Sequence, residues 1–230
     1  MLTALIRAVL VLRAPPLRRI AALGLGLAVL VFVLLWLAIA AVLYDATVFG
    51  WRPLDWLVDL VGGLAALVLS WLLFPAVASV ILGLFVDRVA AAVEALDYPG
   101  LGPPRRQPWG DVVAVTLRLT AAATLLNIVA LPLYLLVPGI NLILFLALNG
   151  YLFGRGYFEA VALRRLDAAA AKSLRRRFAG HVFVGGVVVA GLFALPLVNL
   201  VAPVIATAFM VHVFEALPGI APLPAARSAV

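Results

Sequence analysis

The 230-residue chain has no cysteine. That excludes disulfides, thiolate nucleophiles and thiolate metal sites. Histidine is nearly absent, with His181 and His212 alone. Charge is scarce, at 12% of residues against 67% hydrophobic, and mean hydropathy is +1.22. Soluble domains carry about twice that charge, so the composition is that of an integral membrane protein. There is no Walker loop and no G-x-G-x-x-G run, which argues against ATP-driven transport by this chain alone. No Ser-His-Asp or paired-carboxylate arrangement stands out, so the sequence makes no positive case for an enzyme. Lysine occurs once, and the net charge of +7 rests on arginine. No aromatic-interleaved basic patch points to nucleic acid. In a membrane chain the excess first marks topology and contact with anionic lipid.

What is present is a series of apolar runs. Residues 1–14 read as a short helix near the interface, with Leu2, Leu5, Ile6, Val9 and Leu10 on one face and Arg7 and Arg13 elsewhere. Ile20 to Tyr44 would span roughly 37 Å as a helix, enough for a bilayer. The run is too long for a signal-peptide core and has no small-x-small site after it, so it is expected to be retained. Asp45 to Pro53 reads as a turn, with Trp51 and Trp56 as interfacial anchors. Trp56 to Val86 would make a second long helix of roughly 45 Å, tilted or bent at Pro75. Asp87 to Asp111 is polar, and its Pro- and Gly-rich core, Tyr98 to Pro108, reads as an exposed loop.

The pattern then changes. Val112 to Val137 is apolar but interrupted by Arg118, Asn127 and Pro132. Pro-x-x-Asn-Leu occurs at 138–142 and again at 196–200, each time joining two apolar arms. Arms of about 12–16 residues give roughly 18–24 Å, short of the roughly 30 Å hydrocarbon core. They read as two helical hairpins that penetrate partway, with Asn141 and Asn199 capping the returning helices. Two ordinary short transmembrane hairpins are the alternative. Arg155 to Arg177 reads as an amphipathic helix between them. The expected architecture is an all-α integral membrane protein: two long transmembrane helices, two partly penetrating hairpins and amphipathic helices. Residues 1–217 form one membrane domain and 218–230 a disordered tail. The basic segments 1–19, 87–111 and 155–177 all fall on one side, the cytoplasmic one.

Three groups invite a functional reading. Pro15-Pro16-Leu17-Arg18-Arg19 stands where the first long helix begins. A helix start has unpaired N–H groups and the positive end of the dipole, and Pro suits its first turn. Leu17, Arg18 and Arg19 could therefore offer backbone donors and two guanidiniums to one anion. The same arginines would also serve as ordinary snorkelling membrane anchors. Asn149, Gly150, Arg155 and Glu159 form a packing or gating motif. Gly150 and Gly154 permit close helix approach, and Arg155 and Glu159 are spaced for a helical ion pair. His212 and Glu215 share a helix face and could be half of a metal site, but a packed histidine is the better reading, and neither a metal nor a cofactor is expected. Arg118 lies about two turns inside an apolar helix, where it either snorkels or functions.

The run Asn149-Gly-Tyr-Leu-Phe-Gly-Arg155-Gly-Tyr157-Phe158-Glu159, then Arg164-Arg165-Leu166, Pro196-Leu-Val-Asn199-Leu-Val-Ala-Pro203 and Val211-His212, resembles the CysZ-like sulfate permeases. These share a domain with the eukaryotic etoposide-induced membrane proteins. The match covers residues 70–217 well and the Pro-Leu-Arg-Arg step more loosely. The resemblance implies a multi-pass protein of the bacterial inner (plasma) membrane. It would be a homo-oligomer that takes up sulfate for cysteine synthesis. It also implies two long helices with two partly penetrating hairpins, and an anion site at Leu17, Arg18 and Arg19. Where the family usually has a Pro and an Asn after the arginine pair, this chain has Leu23-Gly24-Leu25-Gly26-Leu27-Ala28. The rival reading is a non-transporting scaffold or lipid-organising module, to which the basic face and amphipathic helices are suited.

Overall fold

The structure is a computed structural model and describes residues 1–44, 61–64, 81, 84–137 and 139–218. Every regular element among the described residues is a helix. In chain order these are α1 (Leu2–Val11), α2 (Pro15–Tyr44), α3 (Val86–Asp97), α4 (Trp109–Leu136), α5 (Asn141–Ala162), α6 (Ala168–Arg177), α7 (Ala179–Ala194), α8 (Pro196–Asn199) and α9 (Ala202–Glu215). The protein is an all-α membrane protein.

The core is built around α9. Every residue from Ala202 to Phe214 is buried. A helix that is apolar all round belongs in an interior, and here α1, α3, α5 and α7 supply it. Phe158 of α5 meets Phe214 edge-on, with ring centroids 5.7 Å apart. Ala8, on α1, is buried in the same core, which Ala4, Leu5 and Val11 join from its flank. Leu2, Ile6, Val9 and Leu10 stay exposed. The apolar face expected on α1 is thus divided, because Leu5 turns inward while the other four face out.

Among the described residues two helices are long and apolar enough to cross a membrane, Pro15–Leu37 and Val113–Leu136. The expected second span, Trp56 to Val86, lies mostly outside the described residues, as do the 45–53 turn and residues 219–230 of the tail. The other spanning-length helix among the described residues is α4, which runs 28 residues through Pro132 without a break. Proline removes one backbone hydrogen bond, but lipid offers no water to replace the rest, so a helix is strongly held there. Asn127 folds back on the helix and donates to the Ala123 carbonyl at 2.8 Å.

Several boundaries differ from expectation. The loop expected at Tyr98–Pro108 is present, and the polar residues before it, to which the sequence assigns no element, are helical. Val89, Ala90, Val93 and Glu94 recur on one face and bury it, which makes 86–97 a helix. The irregular stretch is 98–108. The first returning arm does not stop near Phe153, because α5 continues to Ala162. Nor is 155–177 one amphipathic helix. It breaks at 163–167, where Asp167 caps α6 by accepting from the Ala170 N–H at 2.7 Å. Asn141 and Asn199 do not hold the cap positions of the returning helices. Ile140 and Val201 hold the cap positions, Asn141 is already helical, and Asn199 ends the single turn α8. The arms of the second hairpin are short, 16 residues in α7 and 14 in α9. At the other end of α7 the chain turns by 90° from α6.

Candidate functional site

Between α4, α5 and α6 lies a cleft of about 390 Å³. Five cationic side chains line it, Arg118, Arg155, Lys172, Arg175 and Arg176, with one carboxylate, Glu159. The helical repeat explains the gathering. Tyr151, Arg155 and Glu159 stand at successive fourth positions on α5. Ala168, Ala171, Lys172, Arg175 and Arg176 fall at i, i+3, i+4, i+7 and i+8 on α6, which is one stripe. The two alanines let α6 approach, and Ala171 is fully buried. The cations further along the same stripe then face the cleft.

Glu159 is buried and sits between two guanidiniums. Arg155 Nε donates to its two oxygens at 3.3 and 3.5 Å. Arg175 Nε lies 3.0 Å from Oε1, yet this buried N–H has no hydrogen-bond partner because it is not aimed at the oxygen. Arg118, Lys172 and Arg176 have no ion-pair or hydrogen-bond partner among the described residues. The cleft therefore holds a net excess of four positive charges over one carboxylate. A divalent oxyanion is the natural ligand for such a place. Guanidiniums replace its water with directed, charge-assisted donors.

A second buried cluster differs in kind. Glu94 of α3 is gripped by Arg164, Nε at 2.9 Å and Nη2 at 3.1 Å, and by Arg165 Nη2 at 2.6 Å. Arg164 also reaches Asp87 Oδ1 at 3.3 Å. Arg165 Nη1 donates to the Gly102 carbonyl at 2.5 Å, and the Arg105 N–H donates to the Arg164 carbonyl at 2.8 Å. This network fastens the 98–108 loop and α3 to the end of α5. It is a clasp with short contacts, and it borders a cavity of about 370 Å³ against the 98–104 stretch, where Arg164 and Arg165 are the lining cations and both are paired with Glu94.

The structure brings only part of the expected site together. Leu17 is buried in the core, and the Arg18 N–H is taken by the Ala14 carbonyl at 3.0 Å, so it is no free donor. Arg18 and Arg19 are exposed at the start of α2 and do not line the cleft. Asn149 donates back to the Phe145 carbonyl at 2.9 Å and does not line the cleft. Gly150 and Gly154 lie at the crossing with α7. A Cβ on Gly150 would stand 2.6 Å from Val187 Cγ2, and one on Gly186 would overlap the Gly150 carbonyl. Arg155 and Glu159, from the same motif, point into the cleft instead. Sequence reasoning missed Lys172, Arg175 and Arg176 as site residues. The stripe they form with Ala168 and Ala171 was the available signal.

His212 is a packed histidine. Its Nδ1 is 2.9 Å from the Tyr98 hydroxyl and its Nε2 is 3.4 Å from Asp97 Oδ2. Burial pushes its pKa below the ordinary value, with Asp97 acting against that shift. Glu215 does not complete a metal site with it. Among the described residues no group of three His, Asp or Glu side chains gathers.

A family profile described as "Sulfate transporter CysZ/Etoposide-induced protein 2.4" matches residues 4–203. No curated protein and no solved structure matches the chain.

Proposed function

The chain belongs to the family of the sulfate transporter CysZ and etoposide-induced protein 2.4, and from that premise we propose that it is an oligomeric sulfate permease or channel. It would act in the bacterial inner membrane and supply sulfur for cysteine synthesis. The observation that carries this reading is the cleft lined by Arg118, Arg155, Lys172, Arg175 and Arg176. Sulfate in water is held by a strong hydration shell, and stripping it is costly unless other donors take over. Five cations at one site offer that exchange. A permeant ion must be bound well enough to enter and weakly enough to leave.

Arg18 and Arg19 serve this reading as an outer pair. They are exposed where α2 begins, within reach of the membrane surface, and draw the dianion and anionic lipid headgroups alike. A single chain with few spans is too small to enclose a lined pore, so the path runs between copies in a homo-oligomer. The chemistry is transport, with no bond made or broken and no cofactor.

Labelled-sulfate flux into liposomes holding the purified protein tests this. Wild type should carry sulfate. Arg118→Gln/Arg176→Gln should lose about tenfold or more of the flux with the oligomer intact, and Arg18→Ala/Arg19→Ala should lose it chiefly at low sulfate. Flux unchanged by the first pair would remove the cleft from the path. No flux from wild type would leave the scaffold reading in its place.

A further inference from the structure

We infer that Glu159 is a tethered competitor for the anion site: its carboxylate occupies Arg155 and Arg175 in the resting protein, and an entering divalent oxyanion displaces it. The inference rests on the proposed role of the cleft and names the residue that sets its selectivity.

The comparison that carries it lies within this one chain. Two buried glutamates each meet two arginines. Around Glu94 the contacts are 2.9, 3.1 and 2.6 Å, with Arg164 forked onto both oxygens. Around Glu159 the Arg155 contacts are 3.3 and 3.5 Å, and the Arg175 Nε hydrogen points at no acceptor. Charge-assisted bonds are strongest at about 2.7–2.9 Å. Glu159 therefore neutralises its two arginines without satisfying their donors. Each cluster borders a cavity and each leaves one buried arginine Nε unpartnered, on Arg165 and on Arg175, but only the cavity beside Glu159 has three further cations around it. A loose internal ligand beside an open cationic cavity is one that a better ligand replaces.

Sulfate is that better ligand. It carries two charges and four acceptor oxygens arranged tetrahedrally, so it can engage both guanidiniums and the neighbouring cations together. Glu159 and Arg155 stand one turn apart on α5, so the carboxylate can swing aside by a change of rotamer while the helix stays put. The tether also explains how monovalent anions would be refused. A carboxylate held on the same helix competes at an effective concentration of about millimolar or more. An anion with a single charge and no more donors to gain than the carboxylate has already does not outcompete it. The observed affinity for any anion is the intrinsic one reduced by the fraction of time the site is vacated.

The test is anion binding and flux in wild type, Glu159→Gln and Glu159→Asp. Sulfate and chloride are the probes, and elution as the wild-type oligomer is the control for folding. Glu159→Gln should bind sulfate about tenfold more tightly, bind chloride measurably, and carry less sulfate at saturation because release slows. Glu159→Asp, with a shorter reach to both arginines, should fall between the two, and it carries the test if the glutamine variant does not fold. Sulfate binding no tighter than wild type in a folded Glu159 variant would overturn the inference. Arg176→Gln separates this from failure of the site itself, because Arg176 lines the cleft without touching Glu159. If Arg176→Gln leaves sulfate binding unchanged, the cleft is not the site. If Arg176→Gln weakens binding while Glu159→Gln does not strengthen it, the site stands and the competitor does not.

Discussion

At the scale of single residues, the two glutamates show that burial alone does not decide a role. Glu94 holds Arg164 and Arg165 at hydrogen-bond distance on both oxygens and, through them, the loop at Gly102. Removing one partner of such a cluster leaves uncompensated buried charge. Glu94→Ala should cost about 3–5 kcal/mol, read as a fall in thermal midpoint in detergent. His212 gives a signed expectation with pH. Its folded pKa lies below the unfolded value of about 6.5. The native state then binds fewer protons than the unfolded one in that window. The contribution is present above about pH 6.5 and is lost as pH falls through the lowered value. Thermal midpoints measured from about pH 8 to pH 5 should fall, and the fall should be shallower in His212→Asn.

At the scale of elements, the crossing of α5 and α7 is the tightest joint in the fold. Gly150, Gly154 and Gly186 let the two backbones touch, with no side chain between them. A valine at Gly186 must push the Gly150 carbonyl away, at about 1–3 kcal/mol or more. On the same helix, Gly191 faces nothing within 4 Å, so Gly191→Ala should be neutral or slightly stabilising by the same thermal assay. This joint was legible in the sequence, because glycines four apart in an apolar run leave little else to infer. So were the helical class, the membrane setting, and the breaks that separate α4 from α5 and α7 from α9. The helix boundaries were not. Proline at 132 argues for a break in water, yet α4 passes through it. Asparagine after a turn argues for a cap, yet the chain starts α5 one residue early and delays α9 by two. The cleft was half legible. The pairing of Arg155 with Glu159 follows from spacing on one helix, whereas its meeting with α6 depends on a break at 163–167 that composition does not announce.

At the scale of the whole molecule, the absence of cysteine becomes an instrument. A single introduced thiol reports its surroundings without background labelling. Ser173→Cys sits on the exposed face of the basic helix α6, and Leu197→Cys sits at the tip of the second hairpin, 84% exposed to whatever surrounds the protein. In intact cells a membrane-impermeant maleimide should reach Ser173→Cys only after the membrane is opened, in keeping with a basic cytoplasmic face. Leu197→Cys should stay unlabelled from both sides if its tip rests in lipid, while labelling from outside would mean that the hairpin crosses. The α9 arm is wrapped by protein along its length, which is the condition under which a chain can turn back within a bilayer.

The cleft has one more consequence. Five like charges drawn together repel, and α6 offsets only part of that repulsion by placing Arg175, Arg176 and Arg177 at its negative dipole end. The remainder is stress built into the folded state, and any anion that settles there relieves it. Stability is then linked to the concentration of any anion bound there, rising with its logarithm above the dissociation constant. If the proposed function holds, a cell rich in the anion keeps a sturdier protein than a cell starved of it, and the lifetime of the protein becomes a gauge of its ligand.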